Sequence, residues 1–175
     1  MAPTKASSPL DIWLRCVSLP AFLAWACGSA ASPVRAQATV GGSPFEAAIR
    51  EADVAWTAGR FPISKAAYTR ALALDSSASS RAVYRLAVLN SWEGNLRGAI
   101  PLFARYVQLE PRDEEGRIAL AKAYAWSGAT DRAVAVYDSI LTRDATYRDA
   151  ALGAAQALAW AGRFDAALGR YDRWL

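Results

Sequence analysis

The sequence predicts an all-α protein in which antiparallel helix pairs stack into a solenoid of about four units. The 175 residues are 54% hydrophobic with an excess of Ala, a composition that favours helices. Gly59, Gly94, Gly128 and Gly162 recur at intervals of 35, 34 and 34 residues, and a Trp precedes each by two or three positions. A fixed period of this length is typical of stacked helix pairs, because one pair alone cannot bury its apolar face.

The first element is predicted to be a cleaved secretory signal peptide covering residues 1–38. Residues 1–15 are polar and include two basic side chains, and residues 16–27 (CVSLPAFLAWAC) are almost wholly apolar. Residues 36–38 (AQA) form a small-x-small site, which completes the usual order of such a signal. We therefore expect a mature chain that begins at Thr39 and is periplasmic or secreted.

Three other interpretations of this segment compete with a signal peptide. A membrane anchor needs about 20 apolar residues, and Arg15 interrupts the run on one side and small polar residues on the other. A lipoprotein site at Cys27 favours a small residue two positions earlier, where Trp25 stands. A disordered tail would not explain why a polar segment, an apolar segment and a small-residue segment follow one another in this order. The mature chain is therefore expected to lack a membrane span.

Residues 39–44 are expected to form a linker and cap, followed by helical pattern to the end. Ser43, Pro44 and Glu46 form the signature of a capping box with proline at the first helical position. A helical run then reaches Ala58, Gly59 ends it, and a second run covers about 62–74 before DSSASS breaks the pattern. The same pair of runs recurs, which places the units at about 45–79, 80–113, 114–147 and 148–175.

Three further positions keep the same step and predict the contacts between helices. Seven residues before each Gly the chain has Ala52, Ala87, Ala121 and Ala155. Five residues after each Gly it has Ser64, Ala99, Ala133 and Ala167, and nine after it has Tyr68, Phe103, Tyr137 and Tyr171. Small residues on the first helix let the second approach closely, and the aromatic residue fills the space between units.

These positions resemble the tetratricopeptide repeat over about residues 45–175. Unit 2 matches the family's pattern at five positions. It has a small residue on the first helix (Ala87), Gly at the turn (Gly94), a small residue and an aromatic residue on the second helix (Ala99 and Phe103), and Pro at the end of the unit (Pro111). Unit 1 departs from the pattern with Ser at two positions, and unit 3 departs with Ile140 and Ala145. The resemblance implies a right-handed superhelix whose first helices, called helix A, line a concave groove.

By that resemblance, eight candidate groove residues are Asp53, Trp56, Tyr84, Trp92, Lys122, Trp126, Gln156 and Trp160. Trp92, Trp126 and Trp160 hold one repeat position, and Trp56 lies one place earlier. Stacked units would set the indoles in a row, where they either pack on a neighbouring unit or contact a ligand, and both roles can coexist. The groove lacks the Lys and Asn set with which some family members clamp a terminal carboxylate.

Composition excludes several classes of function. The chain has no His, and both Cys lie within residues 1–38, so no His-based catalysis, zinc knuckle or disulfide is expected in the mature chain. The net charge of +4 falls to about +2 without that segment, too little to indicate nucleic acid. The acidic cluster 113–115, like Asp131 and Asp165, is interpreted as helix capping. We expect no enzyme activity, no cofactor and no metal site.

The function expected is that of a bacterial envelope scaffold that binds a protein or peptide in the groove. The motif LAWAGRF in unit 4 resembles repeats of bacterial envelope proteins. Two alternatives therefore remain, a glycan-binding module in polysaccharide export and the N-terminal repeat domain of an outer-membrane protein. Leu158, Tyr171, Trp174 and Leu175 are predicted to lie at an open apolar end. That end predicts self-association through the C-terminal helix pair, or a longer protein whose next segment covers it.

Overall fold

The computed structural model describes residues 42–75 and 79–173, so the predicted signal peptide lies outside the described residues. Eight α-helices and no strand occur in this part of the chain. The helices are α1 (Pro44–Thr57), α2 (Phe61–Leu74), α3 (Ser80–Trp92), α4 (Leu96–Leu109), α5 (Glu114–Trp126), α6 (Thr130–Arg143), α7 (Arg148–Trp160) and α8 (Phe164–Tyr171). Each unit thus holds one helix A and a following helix, called helix B.

The helices pack in the order in which they follow one another. α1 contacts α2, α3 contacts α4, α5 contacts α6 and α7 contacts α8, so each unit is a helical hairpin. Consecutive units meet through α2 with α3, α4 with α5, and α6 with α7, and α5 also contacts α7. The prediction of an all-α solenoid built from stacked helix pairs is therefore confirmed.

Polar caps start several of the helices as the sequence predicts. The hydroxyl of Ser43 accepts from the backbone N–H of Glu46 at 3.2 Å, and the Glu46 carboxylate accepts from the Ser43 N–H at 2.8 Å. Pro44 follows at the first helical position. Asp113 caps α5 by accepting from the Glu115 N–H at 3.1 Å, which confirms the capping role of the acidic cluster.

Glycine ends every helix A in a left-handed conformation. The φ angles are 68°, 75°, 80° and 74° at Gly59, Gly94, Gly128 and Gly162. A residue with a side chain is strained at such angles, so one turn geometry is repeated four times. Asp131 and Asp165 lie in the first turns of the helices that follow two of these glycines, where a carboxylate meets the positive end of the helix dipole.

The small and aromatic repeat positions form the core between the helices. The alanines seven residues before each glycine are all buried, as are the small residues five positions after it. The aromatic residue nine positions after the glycine is buried in the first three units, at Tyr68, Phe103 and Tyr137. Tyr171, its counterpart in unit 4, is only half-buried. The predicted register is therefore confirmed. Unit 4 differs only in that its aromatic residue is less deeply buried.

One residue predicted at the open end lies elsewhere. Leu158 is buried, and its counterparts Ala55 and Asn90 are buried as well. A side chain that unit 4 already buries cannot form part of an exposed apolar end, so the placement of Leu158 there is wrong. Trp174 and Leu175 lie outside the described residues.

Ion pairs link consecutive units on their surfaces. The pairs are Lys65–Glu93, Arg81–Asp53, Arg85–Asp53, Arg163–Asp131 and Arg170–Asp138. Most of these side chains are partly or largely exposed, where one such pair contributes about 0–1 kcal/mol of stability. The stacking therefore depends mainly on the buried small and aromatic residues.

Candidate ligand-binding groove

Three tryptophans of the predicted row are largely open to solvent. Trp92, Trp126 and Trp160 are the last residues of α3, α5 and α7, and they are 61%, 53% and 57% exposed. Trp is usually highly buried, because its large apolar surface is costly to leave in water. Three indoles exposed at one repeat position therefore form an unusual surface for a folded chain.

The indole at the start of the row belongs to a cluster of three rings. Trp56 stacks on Trp92 with ring centroids 5.7 Å apart, and Phe61 meets both rings edge-on at 5.8 and 5.2 Å. The Arg85 guanidinium lies over the Trp56 ring, 5.0 Å from its centroid. Trp92 thus packs against unit 1 and still presents most of its surface to solvent, so packing and ligand contact are compatible at this residue.

Trp126 and Trp160 have no comparable ring partners in the part of the chain that the structure describes. The position that Phe61 holds in unit 1 is occupied by Leu96 and Thr130 in the units that precede these two tryptophans. No ring-to-ring contact in residues 42–75 and 79–173 involves either indole. Both indoles are therefore exposed without a second ring packed against them.

Asp53 is occupied by contacts within the protein. Its carboxylate accepts from the Tyr68 hydroxyl at 2.5 Å and from the guanidinium groups of Arg81 and Arg85, each at 2.7 Å. Burial, together with the hydrogen bond to Asp53, raises the pKa of Tyr68 to about 12, although Arg85 acts in the opposite direction. Asp53 thus joins unit 1 to unit 2, and a ligand would have to compete with three donors for it.

Tyr84 belongs to a second aromatic cluster, formed by three rings of unit 2. Its ring centroid lies 4.8 Å from that of Tyr106 and 5.8 Å from that of Phe103. The Tyr106 hydroxyl donates to the Asp113 carboxylate at 2.5 Å. Burial raises the pKa of Tyr84, with smaller contributions from Asp113 and Glu115, so Tyr84 stays neutral near pH 7.

Lys122 and Gln156 are exposed and lie four residues before Trp126 and Trp160. Residues four apart share one face of a helix, so each indole has a polar neighbour beside it. Neither polar side chain makes a hydrogen bond or ion pair within the described part of the chain. On this face, α5 and α7 thus each place an indole beside a polar side chain that has no partner among the described residues.

The structure therefore brings the eight predicted residues together only in part. Trp56 and Trp92 are in contact, and Asp53 is linked to Trp56 through Arg85. The repeat pattern alone does not predict the contacts of Phe61 and Arg85 with the tryptophans. One feature of the sequence does point to the Arg85–Asp53 ion pair. The two residues carry opposite charges and lie 32 residues apart, which is close to one repeat step.

The described residues hold no group of three or more carboxylates that would suit a metal ion. In the same part of the chain, no helix has the length and apolar character needed to cross a membrane.

A family model for the tetratricopeptide repeat matches residues 92–146 and 127–175. A search of curated protein sequences finds no match. Among solved structures, MamA from AMB-1 is 17% identical with a TM-score of 0.66, and the match covers 73% of this chain and 69% of that chain.

Two other solved structures are similar over most of the chain. TTC0263, described as a thermophilic TPR protein in Thermus thermophilus, is 20% identical with a TM-score of 0.54, covering 72% of this chain and 70% of that one. YrrB, described as a TPR protein with an unusual peptide-binding site, is 20% identical with a TM-score of 0.50, covering 75% and 91%. At these identities the likenesses establish the fold, and the family match identifies residues 92–175 as tetratricopeptide repeats.

Proposed function

We propose that this protein is a non-catalytic binding module of the bacterial envelope that holds a protein or peptide partner in its helix-A groove. The observation that carries the proposal is the exposure of Trp92, Trp126 and Trp160 at one repeat position. Residues that dominate the energy of protein interfaces are enriched in Trp, Tyr and Arg. Keeping three indoles in water has a cost, and contact with a partner would remove it.

The surroundings of the row favour an apolar partner with a few polar groups. Lys122 and Gln156 lie beside two of the indoles, while Asp53 is neutralised by two arginines. An amphipathic helix or an extended peptide places apolar side chains at regular intervals and polar groups between them. Such a segment would match apolar indoles that alternate with single polar side chains along the groove.

The envelope location rests on the predicted signal peptide, and its test is N-terminal sequencing of exported protein. We expect the mature chain to begin near Thr39, because signal peptidases cut after a small-x-small site. The control is a chain whose AQA site at 36–38 is changed by Ala38→Arg, which should remain unprocessed. A mature chain that starts at a lipid-bearing Cys27, or an exported chain that keeps Met1, would contradict the proposal.

Trp126→Ala is expected to weaken partner binding by about 2 kcal/mol, or roughly 30-fold in Kd, the size typical of a hot-spot residue. Because Trp126 is more than half exposed, its removal should change the free energy of unfolding by less than about 1 kcal/mol. The partner is first captured from an envelope extract on the immobilised chain and identified. Its Kd is then measured by isothermal titration calorimetry, beside urea denaturation of each variant.

Two companion variants separate binding from packing. Leu109→Ala removes an exposed apolar side chain at the end of α4, outside helix A, and should leave the Kd unchanged. Trp92→Ala should lower both stability and affinity, because Trp92 also stacks on Trp56. If the Trp126→Ala variant binds with unchanged affinity per folded molecule, the row serves packing and the groove proposal is wrong.

The same row supports one alternative, a glycan-binding module. Helices α5 and α7 are in direct contact, so Trp126 and Trp160 recur at the spacing of neighbouring helices. Exposed indole faces at a regular step suit the stacking of sugar rings along a polysaccharide. Affinity electrophoresis in gels that contain soluble envelope polysaccharides distinguishes the two ligands. Retardation that Trp126→Ala abolishes, with no protein partner captured, would favour the glycan.

A further inference from the structure

We infer that this protein binds the surface of an anionic lipid bilayer along the side of the solenoid that carries its A–B turns. These turns, which join helix A to helix B within each unit, contain Gly59, Gly94, Gly128 and Gly162. Contacts between neighbouring units set the turns side by side, because Phe61 meets the Trp92 ring at 5.2 Å and Arg163 pairs with Asp131. We call the residues within five positions of these glycines the turn edge.

Exposed apolar side chains concentrate on the turn edge. Ten large hydrophobic side chains are exposed among the described residues, and seven of them lie on this edge: Val54, Phe61, Ile63, Trp92, Trp126, Trp160 and Phe164. Trp92 and Trp126 belong to units 2 and 3, each of which has a unit on either side. Stacking of more units at either end of the solenoid would therefore cover neither indole.

The turn edge also carries positive charge that has no partner within the described residues. Arg60, Arg97 and Arg132 follow three successive turn glycines by one, three and four residues, and all three are exposed. None of them takes part in an ion pair in residues 42–75 and 79–173. Arg132 lies over the Tyr124 ring, 5.9 Å from its centroid. One unpaired arginine therefore accompanies each of the first three turns.

Most of the acidic side chains on the turn edge are already neutralised. Glu93 pairs with Lys65, and Asp131 pairs with Arg163. Asp165, in the first turn of α8, is the third acidic residue of the edge. The uncompensated charge of the edge is therefore positive, and it is complementary to a negatively charged surface.

An anionic bilayer surface matches both features of the turn edge at once. Indole rings favour the boundary between lipid and water, because their apolar faces contact acyl chains while the N–H stays near the headgroups. Arginine side chains at this boundary are attracted by the lipid phosphates. A neutral sugar chain would stack on the rings and leave the three arginines without a counter-charge. The turns also form a line, so several of them can meet one planar surface together.

The bilayer contact goes beyond the proposed function and does not replace it. Lys122 and Gln156 lie about one helical turn before Trp126 and Trp160, on the groove side of the turn edge. A contact made by the edge leaves these two polar groups free for a partner in the groove. The two proposals are tested by separate measurements, because lipid binding is followed without the captured partner.

Co-sedimentation with vesicles tests the inference, comparing mixed phosphatidylglycerol and phosphatidylcholine with phosphatidylcholine alone. We expect binding to the anionic vesicles only, with a shift of Trp emission to shorter wavelength. Arg97→Glu combined with Arg132→Glu should lower the partition coefficient at least about tenfold, equivalent to about 1.4 kcal/mol. The matched control is Arg112→Glu with Arg148→Glu, the same change of charge at two exposed, unpaired arginines near the other ends of the helices in the described chain.

The possible results separate a bilayer from other anionic partners. Loss of binding in the first double variant but not in the control supports the inference, provided that circular dichroism shows both variants folded. Absence of binding to the anionic vesicles, or equal binding to both kinds of vesicle, would overturn it. Equal losses in the two double variants would show a response to net charge and would overturn it too. Retention by an acidic polysaccharide without vesicle binding would assign the arginines to that polymer and reject the bilayer.

Discussion

Replacement of Tyr137 by alanine is expected to lower the free energy of unfolding by about 3–5 kcal/mol, the usual cost of truncating a buried aromatic side chain. Tyr137 is 1% exposed and lies in the core formed by units 3 and 4, with Ile118, Ile140 and Ala154. Burial of the ring also raises the pKa of its hydroxyl to about 12. Urea denaturation followed by circular dichroism measures the loss.

Tyr171 provides a matched control at the same repeat position. Because Tyr171 is half-buried, Tyr171→Ala in dilute protein should cost clearly less than Tyr137→Ala. Equal losses at the two sites would contradict the inference that unit 4 covers Tyr137 while Tyr171 remains partly open.

The absence of a side chain at Gly153 leaves the space that the Tyr137 ring occupies. A Cβ atom added at Gly153 of α7 would lie 2.5 Å from the Cζ atom of Tyr137, far inside contact distance. Gly153→Ala should therefore cost about 1–3 kcal/mol by overpacking, although alanine is the better helix former. In the Tyr137→Ala background the same change should cost little, because the ring is gone. Additive effects in this double-mutant cycle would show that the two residues do not touch.

Ala121→Leu is expected to lower the free energy of unfolding by about 1–3 kcal/mol, because a longer side chain overpacks the contact between α5 and α6. Ala121 is completely buried and belongs to the same core as Ala133 and Tyr137. Thermal and urea denaturation would measure the effect. The control is Ala135→Leu, the same substitution at an exposed position of α6, which should stay within about 0.5 kcal/mol.

The outcome at Ala121 bears on the register of the whole solenoid. The alanines at this repeat position, in α1, α3, α5 and α7, are all completely buried. A change as small as that of the control would place Ala121 on the surface and shift every helix A by a fraction of a turn.

The sequence predicts the parts of the fold that depend on local chemistry. Glycine in the left-handed conformation, the Ser43 capping box and the Asp113 cap each act within a few residues. The buried alanines follow from periodicity, because a repeat reports the same contact four times. Such signals can be recognised without knowing how one unit sits on the next.

The remaining features depend on contacts between units, which periodicity alone does not specify. Asp53 meets Arg81 and Arg85 only because α1 and α3 face each other across 28 and 32 residues. The misplacement of Leu158 has the same origin, since a small rotation of α7 decides whether that side chain points inward. The role of Trp126 stays a prediction, because exposure makes an indole accessible without identifying its ligand.

The consecutive packing of the helices has an evolutionary consequence. Each helix pair touches mainly the pair before it and the pair after it, through small and aromatic positions that recur. A gene duplication or deletion of one whole 34-residue block would therefore join surfaces that are already compatible. Such events would change the number of indoles in the row one at a time. An insertion within a helix would instead move the small and aromatic positions of that helix out of register, whereas the 35-residue step from Gly59 to Gly94 keeps the register despite one extra residue.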